Sequence, residues 1–371
     1  MSRVLVVALG LAIIGLMHWG LWVWLVREPR LPRPWRQIST VGFVVLGACA
    51  PLGMAALMLL RHPAFQFFAV FVFSWLALAL LLVTVLIAVR VPLGGVFRAR
   101  RVDESRRVFV SRVVAGGAVA ATAGSGVFGW RSARGPAEVT ETAVKLARLP
   151  KTMSGFTIAQ ITDLHVGPTI REREVLRVVE QVNALKPDLV AITGDLVDGS
   201  VEELGPFVGL LSRLQSRHGS YFVTGNHEYY SGASDWVAEL TRLGIRVLRD
   251  ERVEVDGFDL AGIDDIMAGG QLSAALEGRD PERSLVLLAH QPRKDAFQAA
   301  VANGVELQIS GHTHGGQVAP FNLVVKAAFP YLAGLYRHEG GQVFVSRGTG
   351  YWGPPLRLGS PPEIAKIVLT A

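Results

Sequence analysis

Three long apolar stretches constrain this chain before anything else: residues 4–26, 38–60 and 65–89. Each reaches the roughly 20 mostly apolar residues that a helix needs to cross bilayer hydrocarbon. Core helices of a soluble domain are seldom so long and so free of charge, so these runs read as transmembrane helices. A fourth run, residues 113–130, is shorter and rich in Gly and Ala. His18 lies in the first run near Trp19, Trp22 and Trp24, and is expected at the membrane interface. Cys49 is the single cysteine and is expected as a small buried hydrophobe. That leaves no intrachain disulfide and no cysteine-based metal site.

Charge separates the two parts of the chain. Residues 1–150 carry 17 Lys and Arg against 5 Asp and Glu, and the remainder carries 20 against 26. The second part therefore has no basic stripe, and no nucleic-acid partner is expected. Arginines also orient the helices. Arg27, Arg30, Arg33 and Arg36 fill the first link, Arg61 stands alone in the second, and Arg90, Arg98, Arg100, Arg101, Arg106 and Arg107 fill the third. Basic links stay cytoplasmic. The N-terminus and everything after the fourth run are thus expected outside, which makes this a multi-pass cell-membrane protein with an extracytoplasmic second part. Ser105, Arg106, Arg107 and Phe109 resemble a twin-arginine export signal, and a basic stop-transfer cluster is the competing reading. The export reading adds possible cleavage near residues 118–123.

Beyond residue 150 strand-like and helix-like segments alternate. "FTIAQITDLH", "DLVAITGDL" and "SYFVTGNHE" are apolar runs ending in polar residues. Between the first two, Val175, Val178, Val179, Val182 and Leu185 recur at helical spacing. This order suggests an α/β architecture with a central parallel sheet. The later segments "SLVLLAHQP", "VELQISGHTHGG", "GQVFVSRGTG" and "EIAKIVLT" are richer in strand, and a second sheet packed on the first would absorb them.

Polar residues fall just past the ends of these strands, where α/β proteins place their chemistry. They are Asp163 and His165, Asp195 with Asp198, Asn226 and His227, His290, and His312 with His314. Five of the nine histidines are among them. Side-chain alternation in an extended chain would point Asp163 and His165 to one side, and likewise His312 and His314. Gly311, Gly315 and Gly316 leave the last pair unobstructed. Carboxylate, imidazole and amide oxygen together suit Mn, Fe or Zn rather than softer ions. Seven candidate ligands exceed what one tetrahedral ion takes. They suit two divalent ions bridged by a carboxylate, a pair able to hold a phosphoryl oxygen.

The motifs "DLH" (163–165), "GDLVD" (194–198), "GNHE" (225–228), His290 in "LAHQP" and "GHTH" (311–314) resemble those of the calcineurin-like metallophosphoesterases, in the same order. "GHTHGGQ" and "SRGTGYWGPPLR" look most like the bacterial membrane-linked branch. The resemblance implies N-terminal transmembrane α-helices followed by an α/β metallophosphoesterase domain, two packed mixed β-sheets flanked by helices. The expected division is a membrane domain over residues 1–130, a linker over 131–150 and the enzyme domain over 151–371. It also implies roles. Asp163, His165 and His314 would bind one ion, Asn226, His290 and His312 the other, and Asp195 both. His227 would protonate the leaving oxygen or stabilise the transition state. Glu228, where many members have Asp, would orient His227 or fix the loop, and Asp198 would hold the turn.

The expected activity is hydrolysis of phosphate esters or anhydrides, as a phosphodiesterase or pyrophosphatase. The competing class is a membrane sensor or scaffold, to which a complete ligand set is of no use. Arg347 stands either to hold a phosphate or to form a structural ion pair, and Trp352 either to line the cleft or to fill the core. His62, His218 and His338 have no assigned role. Residues 321–336 are unusually apolar, either a buried element of the second sheet or a wall beside the metals. The second reading points to a small phosphorylated or lipid-linked substrate at the cell envelope.

Overall fold

The computed structural model describes residues 3–59, 63–94, 103–338 and 340–371. The chain forms two compact units: Met1–Arg131 with Gly353–Leu356, and Ser132–Trp352 with Arg357–Ala371.

The first unit is helical. Helix α1 (Arg3–Trp22) continues as a π-turn over Val23–Arg27, and is followed by α2 (Arg33–Leu59), α3 (Pro63–Arg90) and α4 (Glu104–Arg134). Among the described residues, Val7–Arg27, Gln66–Arg90 and Glu104–Arg134 are long and apolar enough to cross a membrane. Leu60, Arg61, His62, Arg98, Arg100 and Arg101 lie outside the described residues. Leu21, Ala79, Leu82, Leu86, Val114 and Ala118 form the interior of this unit. Ion pairs Arg30–Glu104 and Arg90–Glu28 join the first link to the flanks of the third. Arg112 also donates to the Pro29 carbonyl, at 2.9 Å.

The structure adds three points for this unit. The fourth run belongs to a helix of 31 residues. Arg106 and Arg107 therefore sit in its first turns, and residues 118–123 lie in its interior. His18 is buried within this unit, with Nδ1 donating to the Ile14 carbonyl (2.8 Å) and Nε2 accepting from the Trp75 indole (2.9 Å). A ring satisfied on both nitrogens can be buried at little cost. Cys49 is half-buried rather than buried.

The second unit is built on twelve strands. β1 (Glu138–Lys145), β12 (Glu363–Thr370), β2 (Thr157–Ile161), β3 (Leu189–Thr193), β4 (Ser220–Val223) and β5 (Arg246–Val247) make the first sheet, in that order. The second sheet runs β10 (Gly334–His338), β11 (Gly341–Val345), β9 (Leu307–Ser310), β8 (Ser284–Leu288), β7 (Phe258–Gly262) and β6 (Glu251–Val255). Both are mixed: β12 is antiparallel to β2, β10 to β11 and β6 to β7, and the other pairs are parallel. The expected linker over 131–150 is corrected here, because β1 pairs along its length with β12, from Glu138 opposite Glu363 to Lys145 opposite Thr370. As an edge strand it buries only Val144 fully, so its sequence lacks the apolar run of the central strands.

Ile158, Leu189, Ala191 and Val223 of the first sheet share one core with Val286, Leu288, Leu307 and Ile309 of the second. Each large aliphatic buried there stabilises the fold by about 1.5–3 kcal/mol. Helices α5 (Glu172–Ala184) and α6 (Val201–Val208) cover the outer face of the first sheet. They are joined, beyond α7 (Asn226–Ser231), by α8 (Ala233–Arg242), and the buried residues include Val175, Val179, Val182, Leu204 and Trp236. Helix α9 (Lys294–Ala302) inserts Phe297 against Val343 and Val345 of the second sheet. Residues 321–336 do not form a buried element. They make helix α10 (Asn322–Ala328), which has no buried residue, and lead into β10.

Candidate metal centre

Each site residue stands on a turn that leaves the carboxyl end of a parallel strand. Asp163 and His165 follow β2, Asp195 follows β3, Asn226 and His227 open α7 after β4, His290 follows β8, and His312 and His314 follow β9. The turns are not extended. Asp163, His165, Asp195, His312 and His314 have φ of 53°, 51°, 50°, 72° and 51°. Side-chain alternation therefore does not explain how the paired residues converge. Left-handed backbone at non-glycine residues costs roughly 1–3 kcal/mol each, and it persists only where surrounding contacts enforce it. Those contacts are present: Asp163 N–H donates to the Gly194 carbonyl (3.0 Å), His165 N–H to that of Asp195 (3.1 Å), and His312 N–H to both carboxylate oxygens of Asp163 (2.9 Å each). Glycine is needed at 311 because a Cβ there would overlap Asp163 Oδ2 and Thr162 Oγ1.

Two clusters of the expected ligands result, and a third group joins His165 to Asp198 and His227. In the first, His165 Nε2 lies 3.1 Å from His314 Nε2, which is 3.5 Å from Asp163 Oδ1. In the second, His290 Nε2 lies 3.0 Å from Asp195 Oδ2 and 3.2 Å from His312 Nδ1. Asp195 Oδ2 is also 4.0 Å from His165 Nε2, so this one carboxylate borders both clusters. Nitrogens bound at about 2.1 Å to one tetrahedral ion stand roughly 3.4 Å apart. The observed separations fit that spacing. A further observation supports the fit: Asn226 Oδ1 is buried and has no hydrogen-bond partner. An orphan buried acceptor is costly unless a cation or donor is placed against it.

Charge in the metal-free site is arranged by the same contacts. Burial disfavours the cationic form of His165, but Asp198, Asp195 and Asp163 outweigh it and raise the group to about 9. Burial opposes protonation of His290 too, and Asp195 and Asp163 raise it to about 10. Burial, then the neighbouring His290, pushes His312 down to about 3. Burial and the Arg357 guanidinium hold His314 well below the ordinary imidazole range. Burial raises Asp163, whereas for Asp195 burial is overcome by His290, His227 and His165, which hold it well below the carboxylate range.

The residues around the clusters have defined tasks. Asp198 Oδ1 accepts from Nδ1 of His165 (3.0 Å) and from Nδ1 of His227 (2.6 Å), so it orients two imidazoles rather than merely holding the turn. Glu228 does not touch His227. Its carboxylate accepts from the backbone N–H groups of Asp195 (3.0 Å), Leu196 (2.7 Å) and Gly225 (2.6 Å), fixing the Asp195 turn to the start of α7. Burial, and secondarily Asp195, push it up to about 7. Arg347 pairs with Glu138 (2.7 Å) and Glu363 (3.3 Å), the structural alternative. Trp352 is half-exposed beside His227, ring centroids 5.8 Å apart, so it lines the cleft. His218 and His338 lie elsewhere, contacting Asp256 and Gln298.

Sequence reasoning missed two residues, Tyr230 and Arg357. Tyr230 stands three positions after His227 on α7, their rings 5.2 Å apart, a neighbour that helical spacing marks. Phe329, in the apolar segment read as a wall beside the metals, packs 5.0 Å from the His312 ring. Arg357 is fully buried, and its Nη2 meets His314 Nδ1 at 3.0 Å. An arginine between prolines and leucines gives no signal of this in one dimension.

The sequence profile described as calcineurin-like phosphoesterase matches residues 156–316. A bovine "transmembrane protein with metallophosphoesterase domain" is 40% identical over 291 residues, covering 72% of this chain and 64% of that protein. An uncharacterised Helicobacter pylori metallophosphoesterase is 41% identical over 239 residues, covering 62% of this chain and 64% of its own. An Aquifex aeolicus metallophosphoesterase is 34% identical over 242 residues, covering 62% of this chain and 91% of its own. The chain thus spans a little under two thirds of the bovine and Helicobacter proteins.

Proposed function

Because this chain belongs to the calcineurin-like phosphoesterase family, we propose that it is a two-metal hydrolase of phosphodiester or pyrophosphate bonds, acting outside the cytoplasmic membrane on a lipid-linked or other cell-envelope substrate. The observation that carries this reading is the pair of ligand clusters sharing Asp195, with the orphan Asn226 oxygen beside them. Asp163, His165 and His314 would hold one divalent ion, and Asn226, His290 and His312 the other, with Asp195 common to both. Manganese, iron and zinc all suit these donors. Such ions supply positive charge to a phosphoryl group under attack and make water more acidic.

The remaining work falls to the protein. His227 carries a proton on Nδ1 toward Asp198, which leaves Nε2 to face the clusters, 4.0 Å from Asp195 Oδ2. From there the imidazolium hands its Nε2 proton to the departing oxygen, and Asp198 stabilises its charge. Glu228 and the backbone contacts at Asp163 and His312 hold the ligands ready, so little reorganisation is required.

The outward placement is supported by the arginine-rich links, by the ion pairs that gather them at one end of the helical unit, and by the twin-arginine-like Ser105–Arg106–Arg107 segment. The test is to strip the purified full chain of metal, reload it with Mn²⁺, Fe²⁺ or Zn²⁺, and measure bound metal and cleavage of bis(p-nitrophenyl) phosphate. Metal-dependent cleavage is expected in the wild type, with loss of metal and rate in Asp195→Asn. An Asp195→Asn variant with ordinary metal content and rate would overturn the reading.

A further inference from the structure

We infer that Tyr230 and Trp352 form a subsite for the leaving group, and that this group is a hydrocarbon-bearing alcohol. The inference deepens the reading above and rests on His227 as proton donor. Whatever is attached to the oxygen that His227 protonates must lie beside the His227 ring. Two aromatic rings stand there edge-on, Tyr230 at 5.2 Å and Trp352 at 5.8 Å between centroids. Neither belongs to the core: Tyr230 is 66% exposed and Trp352 47%. The Trp352 main chain is nonetheless held in place, since its backbone N–H donates to Gln317 Oε1 (3.0 Å) and its carbonyl accepts from Gln317 Nε2 (2.8 Å), three residues past His314.

The apolar character continues around the mouth. On the His312 side, Phe329 backs the ring at 5.0 Å, and Phe321, Leu323 and Val324 of the adjoining segment are exposed to 47%, 66% and 59%. Contiguous exposed apolar surface next to a site marks ligand contact. The two arginines beside the metal loop are committed elsewhere, while Lys326 of α10 is exposed. Arg347 pairs with Glu138 and Glu363, and Arg357 donates to main-chain carbonyls and to His314. A phosphate leaving group, as in pyrophosphate cleavage, would call for cations beside His227, where Tyr230 and Trp352 stand instead. A hydrocarbon calls for the aromatic and aliphatic surface that is present.

The chemical step balances as an ordinary hydrolysis. The oxygen of one water forms the new P–O bond while the P–O bond to the alcohol breaks. The alcohol oxygen keeps the bonding pair and takes the His227 proton, and the proton released by the water returns His227 to its starting state. No oxidant or further reactant is needed.

The experiment uses the Mn²⁺-loaded full chain in amphipol with two substrates, 4-methylphenyl and 4-decylphenyl methylphosphonate. Each has one P–O aryl bond to break, and the leaving phenols are equally acidic, so only the chain differs. The decyl ester is expected to be preferred about tenfold or more in kcat/KM, mostly through KM, since each buried methylene contributes to binding. Tyr230→Ser with Trp352→Ser should erase that preference while bound metal stays unchanged. Binding of decylphosphonate against methylphosphonate, measured by calorimetry, gives the same comparison without turnover. Equal handling of the two chains by the wild type, or a preference that survives both substitutions, would overturn the proposal. Selection for a planar nucleoside leaving group over the decyl chain would also overturn it. Loss of metal dependence toward bis(p-nitrophenyl) phosphate would instead strike the metal-centre reading.

Discussion

Asp198 Oδ1 lies 2.6 Å from Nδ1 of His227, and the same oxygen lies 3.0 Å from Nδ1 of His165. One carboxylate thus fixes the proposed proton donor and a metal-ligand candidate together. Burial of Asp198 is outweighed by His165 and His227, which hold its carboxyl well below the usual range, so it stays ionised at any working pH. Asp198→Asn keeps the shape but removes the charge. We expect metal at the Asp163–His165–His314 cluster to weaken by about 10–100-fold, the scale seen when the partner of a ligating histidine is lost. Metal titration followed by kcat checks this, and unchanged affinity with unchanged kcat would assign Asp198 to the turn alone.

His227 holds Asp195 Oδ1 through its backbone N–H (2.9 Å), a contact that alanine keeps, and its ring is held by Asp198 with Nε2 4.0 Å from Asp195 Oδ2. His227→Ala should therefore retain metal but lose rate by about 10²–10⁴-fold, the usual contribution of a general acid. The loss should shrink as the leaving group becomes more acidic, because a good leaving group needs no proton. A deficit independent of leaving-group acidity argues against proton donation and for transition-state charge stabilisation.

The metal-free site binds protons that a metal must displace. His165 is raised to about 9 and His290 to about 10, each chiefly by aspartates that overcome burial. Both lie above the ordinary 6.5, so both sites are protonated at pH 7.5. Their stabilisation of the metal-free fold is complete below about pH 6.5 and is lost as pH rises through 9 to 10. Metal loading runs the other way and strengthens over that window. Calorimetry at pH 7.5 in buffers of different ionisation enthalpy should show release of roughly two protons on loading. Loading with no proton release would contradict this account of the two histidines.

Arg357 is the clearest case of a residue the sequence does not announce. Its guanidinium donates to the carbonyls of His314 (2.8 Å), Arg347 (2.7 Å), Gly348 (3.2 Å) and Gly350, and meets His314 Nδ1. Burial pushes it down to about 9. A lysine has three donors in place of five and no planar fork. Arg357→Lys should leave buried carbonyls unsatisfied and destabilise the domain by about 2–4 kcal/mol, read from denaturant unfolding. Full stability in that variant would show that the carbonyls find other donors.

How much of this was legible in the chain depends on range. The strand ends were visible because β2, β3, β4, β8 and β9 are short apolar runs, each closed by a polar residue. The eight site residues could be picked from those positions and the motifs. Backbone conformation could not. Extended alternation was a reasonable local rule for Asp163 and His165, and it was overruled by the contacts that pin both at positive φ. β1 was missed because its partner strand begins at Glu363, and an exposed edge strand has little apolar pattern of its own. Tyr230 and Arg357 matter through neighbours brought together only by the fold.

Membrane orientation is the last expectation, and it follows from where the arginines meet. Arg30 pairs with Glu104, Arg90 with Glu28, and Arg112 reaches Pro29, so the first link and the start of α4 share one end of the helical unit. Helix α4 then runs 31 residues, about 46 Å at 1.5 Å per residue, enough to span the hydrocarbon. Basic residues stay on the cytoplasmic side, which predicts the Arg30 end inside and Arg134 outside. A phosphatase reporter that is active only outside the cytoplasm should be active when fused after Ala371 and silent when fused after Arg36. A fluorescent reporter that matures only inside should give the reverse. Replacing Arg27, Arg30, Arg33 and Arg36 with glutamine should blur the contrast, because those charges set the bias. The opposite pattern in both reporters would place the metal centre in the cytoplasm and remove the case for an envelope substrate.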